Sequence, residues 1–327
     1  MVQMSQKNNN VLFIAGPGRS GSTLLDLLLG QIDGFCSTGE MRFIWERGFA
    51  QNQLCGCGKP FRECEFWTRV VKEAFGGFER VDYARLETLR RSAERRVSNG
   101  LSPAEAASIL GPHKEYLDAY RNIYAAIQKI SGCQFIVDSS KHIANGFLLS
   151  VIPGIDLYTV HLIRDSRAVA YSWQRKKVRP EIHWEQKLMS QRSIFKSATR
   201  WNSRNRLAHV LRRNCKQYTR LRYEDLVSYP KDYLSSLFAG LEIEIPALDF
   251  LTDHRAVLKT THTVSGNPVR FVRQEIEIQP DVQWQRAMAK PKKWLVTLLT
   301  LPLLIKYGYF TNRKKGRANY HEAARVG

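Results

Sequence analysis

A glycine-rich loop between an apolar run and a leucine-rich segment is the feature that most constrains this chain. Residues 11–15 predict a buried strand, residues 16–23 read GPGRSGST, and the leucines that follow predict a helix. The N–H groups of such a loop point inward, and the helix N-terminus adds a partial positive charge. The sequence therefore predicts a phosphate cradle at the end of the first strand.

The loop differs from the one that binds nucleoside triphosphates. That loop reads G-x-x-x-x-G-K-[ST], and its lysine contacts the outer phosphates. Gly16 and Gly21 have the required spacing, but Ser22 occupies the lysine position, and the nearest cation is Arg19. We therefore expect the loop to bind a phosphate without cleaving a triphosphate.

Polar residues follow several other strand-like runs, at 134–137, 157–163 and 218–221. Helical patterns separate the runs, which is typical of a parallel sheet covered on both faces, where ligands bind at the carboxyl ends of the strands. The predicted fold class is α/β, a P-loop-type three-layer fold with a helical cap. The expected helices are 83–97, 116–130, 168–177 and 188–213. The expected organisation is a disordered 1–10, a single domain 11–310 with a helical insertion at 45–130, and a basic tail 311–327.

The charge of the chain points to an anionic partner. Lysine and arginine number 50 against 30 acidic residues, which gives a net charge of +20. Such a surface attracts nucleic acid, anionic lipid or a polyanionic small molecule, or is a solvated basic face. An apolar stretch at 294–305 is too short to cross a membrane. It predicts a buried helix, with peripheral membrane contact through 290–317 as the alternative.

The cysteines and the N-terminus bear on compartment and metal. Residues 1–10 are polar, without a secretory signal pattern, so we expect a cytoplasmic protein with free thiols. Cys55, Cys57 and Cys64 could hold Zn²⁺ with a fourth ligand such as Cys36, but a tight Gly-Cys turn is the favoured interpretation. The sequence predicts no metal site, and whether these three thiols bind metal stays open.

A second phosphate position is predicted near residue 164. Arg164 closes the strand at 157–163, and Ser172 lies eight residues on, about two turns into the next helix. A guanidinium and a hydroxyl on one side of a crevice suit a phosphate. The two positions together predict a nucleotide that is phosphorylated at two places.

These motifs resemble those of the sulfotransferases that use 3′-phosphoadenosine 5′-phosphosulfate (PAPS). The resemblance is to the bacterial branch, which is similar to tyrosylprotein and carbohydrate sulfotransferases. It implies that residues 18–23 bind the 5′-phosphosulfate, Arg164 and Ser172 the 3′-phosphate, and that residues 266–271, GNPVRF, close over the nucleotide, with Tyr223 near the adenine. The cofactor-binding residues so implied are Gly18, Arg19, Ser20, Gly21, Ser22, Thr23, Arg164, Ser172, Tyr223, Gly266, Asn267 and Arg270.

The resemblance also implies the reaction. A sulfuryl group would pass in line and without a metal from PAPS to an acceptor hydroxyl, which leaves adenosine 3′,5′-bisphosphate (PAP). Glu40 is the predicted base, and Arg19 and Lys141 are predicted to stabilise the leaving phosphate. A local ion pair between Glu40 and Arg42 is the alternative for Glu40.

Two histidines compete with Glu40 for the role of base. His142 follows Lys141 directly and stays a candidate. His161 lies inside the strand at 157–163, where burial in the core is expected instead.

Two other functions stay open. Asp138, after the run at 134–137, resembles the Mg²⁺ ligand of a kinase that uses ATP, although the loop lysine is missing. A non-catalytic basic module that binds nucleic acid or membrane is the other. We predict no nucleic-acid partner, because no ordered base-stacking aromatics are visible. The acceptor could be a sugar, lipid, peptide or small molecule, and neither it nor the oligomeric state is predicted.

Overall fold

The structure is a computed structural model that describes residues 8–98, 100 and 109–310. The predicted basic tail, 311–327, and most of the predicted N-terminal segment, 1–7, lie outside these residues. The first strand begins at Asn9, two residues earlier than expected, because the N–H of Asn9 donates to the carbonyl of Gly154 at 2.8 Å.

Strands and helices alternate along most of the chain. The strands are β1 Asn9–Ala15, β2 Phe35–Gly39, β3 Phe135–Lys141, β4 Ile155–Ile163, β5 Gln217–Arg222, β6 Arg255–Leu258 and β7 Gln274–Glu277. The helices are α1 Ser22–Leu29, α2 Glu65–Phe75, α3 Tyr83–Arg96, α4 Lys114–Ser131, α5 Ile143–Val151, α6 Ser166–Gln174, α7 Ile194–Leu211, α8 Tyr223–Ser228, α9 Pro230–Gly240, α10 Gln283–Ala287 and α11 Lys290–Lys306. A π-helical segment, Ile44–Ala50, follows β2.

The first five strands form one parallel sheet in the order β2-β3-β1-β4-β5, which confirms the predicted α/β fold. β1 is central, and its alternate residues enter two different cores. Val11 and Phe13 pack with the α4 and α5 side, whereas Leu12 and Ile14 pack with α1 and α9. Because both faces are covered, the strand is apolar throughout rather than alternating.

Helices also fill most of the described chain between β2 and β3. The π-helical segment, α2, α3 and α4 pack around large aromatic side chains, among them Trp45, Phe49, Phe61 and Trp67, all fully buried. The predicted helical insertion at 45–130 falls in this region, and its residues 99 and 101–108 lie outside the described chain.

The predicted helix 188–213 starts later in the structure. α7 begins at Ile194, because the Ser193 side chain accepts a hydrogen bond from the N–H of Lys196 and caps the helix. The residues before it are extended instead, and the N–H of Met189 donates to the carbonyl of Lys177 at 2.7 Å. The apolar periodicity extends on the N-terminal side of Ser193, but the helix itself begins only after this capping residue.

The predicted apolar terminal helix is α11. It buries Val296, Leu303 and Leu304, while Trp294 and Leu298 are about three-quarters exposed, at 75% and 70%. Within the described residues, no helix has both the length and the apolarity needed to span a bilayer.

Candidate active site

A basic cleft of about 800 Å³ opens at the carboxyl ends of β1, β3 and β4. Segments that are distant in the chain line it: the glycine-rich loop, the residue after β2, the end of β3, α6, α7 and residues 266–269. The predicted residues on its wall are Gly18, Arg19, Gly21, Ser22, Thr23, Glu40, Lys141, Arg164, Ser172, Tyr223, Gly266 and Asn267. Ser20 and Arg270 are the two predicted site residues outside this lining.

The loop has a backbone that only particular residues adopt easily. Gly16 and Gly21 have φ angles of 137° and 87°, and a Cβ on either would overlap the Leu162 carbonyl or the Tyr223 ring. Arg19 also has a positive φ, 72°, a strained conformation that directs it into the cleft wall. No side chain caps the N-terminus of α1, so its N–H groups are available to an anion.

Ser20 shapes the loop from inside. Its side chain is 1% exposed, and its hydroxyl donates to the carbonyl of Pro17. We therefore assign Ser20 to holding the turn, and its backbone N–H remains part of the loop.

Arg164 and Ser172 lie in the same cleft, as the spacing predicted. Arg164 donates to the carbonyl of Arg19 at 3.0 Å and to Asp281 at 3.0 Å, and its guanidinium lies 4.3 Å from the centre of the Tyr223 ring. Ser172 reaches this wall from α6. Arg164 thus contacts the glycine-rich loop directly, and the two predicted phosphate positions belong to one continuous surface.

The segment 266–271 covers the loop, but only some of its residues face the loop. The N–H of Asn267 donates to the hydroxyl of Thr23 at 3.3 Å. Arg270 instead turns away, and donates to the carbonyls of Thr263 and Leu54 at 2.6 Å each. Arg270, predicted to contact the nucleotide, therefore ties the segment to the insertion, because two backbone carbonyls accept its hydrogen bonds.

Glu40 and Lys141 form an ion pair, with 2.5 Å between Glu40 Oε1 and Lys141 Nζ. Lys141 has a φ of 62°, at an irregularity in the pairing of β3 with β1. Burial raises the pKa of Glu40, but the charges of Lys141 and Arg47 outweigh burial and hold the pKa below its ordinary value. The alternative partner, Arg42, pairs with Glu94 at 2.6 Å instead.

The two histidines that compete for the role of base differ in position. His142 lines the cleft, and burial and the charge of Arg42 lower its pKa to about 2, so it is a poor proton acceptor. His161 is fully buried and bonded to Tyr218 and Asn205 at 2.7 and 2.8 Å, as expected for a core residue.

Asp138, the Mg²⁺ ligand of the kinase alternative, is fully buried and absent from the cleft wall. Its carboxylate accepts hydrogen bonds from Tyr124 at 2.7 Å, from Asn145 at 3.2 Å and from Ser140. This carboxylate serves the core beneath β3.

Sequence reasoning missed most of the cations at the other end of the cleft. Three further arginines line the wall near Arg42, namely Arg192, Arg200 and Arg204. Unlike Arg42, these three form no ion pair among the described residues. Burial and the neighbouring arginines lower the pKa of Arg192 and of Arg204 to about 10. The spacing of Arg200 and Arg204, one turn apart on α7, was the only signal in the sequence.

This chain is similar to proteins of a known family. The model of the sulfotransferase family matches residues 12–247. The sulfotransferase domain from the olefin synthase of Synechococcus PCC 7002 is 19% identical, with a TM-score of 0.51 over 93% of this chain and 96% of that one. A sulfotransferase domain from the curacin biosynthetic pathway is 15% identical, with a TM-score of 0.48 over 92% and 98%. No curated protein matches the chain significantly.

The family model covers most of the chain, including the loop, Glu40, Lys141, Arg164 and Ser172. The Synechococcus domain has a similar fold over most of this chain. The α/β sheet with a basic cleft at its carboxyl edge is therefore that of an enzyme, and the chain belongs to the sulfotransferase family.

Proposed function

We propose that this sulfotransferase takes its sulfuryl group from PAPS and transfers it in line to an acceptor hydroxyl. The observation that carries the proposal is the pair of anion positions in one cleft. The loop and the uncapped N-terminus of α1 suit a 5′-phosphosulfate, and Arg164 with Ser172 suits a 3′-phosphate. Arg164 links them through its hydrogen bond to Arg19.

Glu40 is the proposed base. Its carboxylate would accept the proton of the acceptor hydroxyl while the hydroxyl oxygen bonds to sulfur and the bond from sulfur to the phosphate oxygen breaks. The electron pair of that bond stays on the phosphate of PAP. Because Glu40 is ionised at neutral pH and lines the cleft, it is ready to accept a proton.

Lys141 and Arg19 are the proposed stabilisers of the leaving phosphate. Lys141 already contacts Glu40, so a small movement of its ammonium group toward the phosphate would stabilise the leaving oxygen. That movement also removes positive charge from Glu40 and raises its basicity as the proton arrives. These two cations supply the charge stabilisation, so the proposed transfer requires no metal.

The acceptor is proposed to carry an anionic group of its own. Arg192 lies near Arg19, Arg204 lies near Glu40, and both lie near Arg200. Crowded cations that lack counter-ions are stabilised when an anion binds among them. The donor phosphates would occupy the loop and Arg164, which leaves this arginine group for the acceptor.

The first test is thermal unfolding of the full chain with PAP and, separately, with ATP and Mg²⁺. PAP at about 100 times its dissociation constant should add roughly 2.7 kcal/mol to the free energy of unfolding. Arg164→Ala should abolish this stabilisation, and Arg213→Ala, an exposed arginine outside the cleft, should retain it. Stabilisation by ATP and Mg²⁺ alone would replace this proposal with a kinase.

A further inference from the structure

Three cysteines and a histidine that the reaction does not use meet beside the cleft. The side chains of Cys55, Cys57, Cys64 and His262 bring their Sγ atoms and a ring nitrogen within 4.8 Å of one another. Cys57 Sγ lies 3.6 Å from Cys64 Sγ, and His262 Nδ1 lies 3.2 Å from Cys64 Sγ and 3.9 Å from Cys55 Sγ. Tetrahedral zinc, with bonds of about 2.3 Å to sulfur and about 2.0 Å to nitrogen, separates its ligand atoms by about 3.5–3.8 Å.

The backbone around the cysteines is already shaped for such a site. Cys55 and Cys57 lie in a tight turn, in which the N–H of Gly58 donates to the carbonyl of Cys55 at 2.8 Å. Gly58 has a φ of 85°, which favours glycine. Cys64 is the N-terminal cap residue of α2, a position that favours a thiolate. The expected Gly-Cys turn is therefore present, and it presents thiols to one point.

The histidine is held in place by the insertion. The indole N–H of Trp67 donates to the His262 carbonyl at 2.8 Å, and the Phe66 ring stacks on the imidazole with 5.0 Å between centroids. These contacts orient Nδ1 toward the thiols, as second-layer residues of metal sites do. Cys36, the fourth ligand considered from the sequence, lies beside Cys133 instead.

We propose that Cys55, Cys57, Cys64 and His262 bind one Zn²⁺ ion. Three sulfur ligands and one imidazole in a tetrahedral arrangement select zinc over Mg²⁺ or Ca²⁺, which prefer oxygen. Four protein ligands leave no open position, so the ion is structural rather than catalytic.

The zinc ion would join two segments that are far apart in the chain. His262 begins the stretch that leads to Gly266 and Asn267 over the phosphate loop. In this stretch the N–H of Val264 donates to the carbonyl of Thr38 at 2.9 Å, and the carbonyl of Ser265 accepts from the N–H of Glu40 at 3.2 Å. Zinc thus anchors the covering segment next to the proposed base, and this last consequence rests on the proposed function.

The test is the metal content of the full chain, purified without an affinity tag that binds metal and measured by inductively coupled plasma mass spectrometry. We expect one zinc per chain in the wild type, and a loss of most of it in Cys64→Ser and in His262→Ala. Cys36→Ser is the matched control, since it removes a thiol outside the cluster, and it should retain zinc. Less than stoichiometric zinc in the wild type, or full occupancy in Cys64→Ser, would overturn the site.

Replacement of zinc by Co²⁺ in the wild type gives a readout that does not depend on whether a variant folds. The expected spectrum has thiolate-to-cobalt charge-transfer bands and the intense d–d bands of tetrahedral cobalt. Weak octahedral d–d bands, or a Cys57–Cys64 disulfide found by peptide mass spectrometry in freshly purified protein, would contradict the proposal.

The zinc site and the nucleotide proposal can fail separately. Removal of zinc with a chelator should weaken PAP binding about tenfold or more, because the covering segment loses its anchor, and added Zn²⁺ should restore the affinity. Stoichiometric zinc without any PAP binding would leave the metal site intact and refute the donor. Unchanged PAP affinity in the zinc-free protein would refute the anchoring role.

Discussion

The two ends of the active-site cleft are built in different ways. The loop end uses a short contiguous motif, in which backbone N–H groups and one helix N-terminus form the surface, with Arg164 bonded to the loop itself. The arginine end uses long side chains from separate elements, among them Arg42, Arg192 and Arg204. A local backbone motif is visible in a sequence, whereas a cluster of side chains from distant segments is not.

The charges at the two ends are balanced differently as well. At the loop end, Arg164 pairs with Asp281, and Asp26 lies buried in α1 with hydrogen bonds from Ser37 and Ser139 at 2.8 Å each. At the arginine end, Arg200 and Arg204 form no direct ion pair among the described residues, although Glu40 and Glu94 act on Arg204 from a greater distance. At the loop end the arginine is already paired and the N–H groups of α1 are left for an anion, whereas at the arginine end the side chains themselves are left for one. Glu40 and Lys141 lie between the two.

The largest expected effect on activity comes from Glu40, which lies between the two ends of the cleft. Glu40→Gln keeps the shape of the side chain but removes the proton acceptor, so kcat should fall by about 10²–10⁴. PAP affinity should change little, because the loop end stays intact. The measurement is steady-state transfer together with a PAP titration.

Glu244→Gln, an exposed carboxylate outside the cleft, is the control and should keep wild-type kcat. Near-wild-type turnover in Glu40→Gln with intact PAP binding would show that Glu40 is not the base.

The next effect concerns the stability of the loop end. Burial raises the pKa of Asp26 to about 7, against the hydrogen bonds from Ser37 and Ser139. A carboxyl whose folded pKa is raised stabilises the fold below its unfolded pKa, and this contribution is lost as pH rises through the folded pKa. Relative to Asp26→Asn, the wild type should therefore lose a few kcal/mol of unfolding free energy between about pH 4 and pH 7.

Denaturant unfolding at several pH values measures this difference. Asp156→Asn is the comparison, since the hydrogen bond from Lys216 lowers the pKa of Asp156 and gives the opposite sign at low pH. A pH-independent difference between the wild type and Asp26→Asn would mean that folding does not raise the pKa of Asp26.

The smallest effect tests the arginine end. Arg204→Gln relieves repulsion from Arg200 and Arg42, so the protein without ligand should gain about 1 kcal/mol of stability. The same change should lower the affinity of PAP-saturated protein for inorganic sulfate about tenfold, since a hydrogen bond to a charged group is worth about 1.5–3 kcal/mol. The affinity is measured from how sulfate stabilises the protein.

Arg206→Gln, on the exposed side of the same helix, is the matched control, and sulfate should stabilise it as it does the wild type. Equal sulfate dependence in both variants would refute an anionic position at the arginine end.

The parts of the site that sequence reasoning predicted share one property, namely that they are local. The loop glycines need positive φ angles, and the spacing of Arg164 and Ser172 follows from one strand end and two helical turns. The predicted start of α7 was wrong, although the cap that sets it is also local. The prediction gave the apolar pattern more weight than the Ser193 cap.

The parts that were missed depend on contacts between distant residues. Lys141, rather than Arg42, proved to be the partner of Glu40, since β2 and β3 are neighbours in the sheet and Arg42 finds Glu94 in the insertion. His262 lies 198 residues from Cys64, and a lone histidine carries no spacing signal. Arg270 belongs to a motif that predicts nucleotide contact, but two backbone carbonyls determine where its guanidinium points.

The sequence by itself determined the α/β class, the glycine-rich loop, the spacing that brings Arg164 and Ser172 into one cleft, and the sulfotransferase family. Apolar runs, glycines and helical spacing act over a few residues, so they can be interpreted without a fold. Only the tertiary structure decided the ion pair of Glu40, the arginine end of the cleft and the meeting of His262 with three cysteines. Those arrangements depend on which strands become neighbours and on which buried donors find acceptors, and both are decided when the whole sheet and its covering helices pack together.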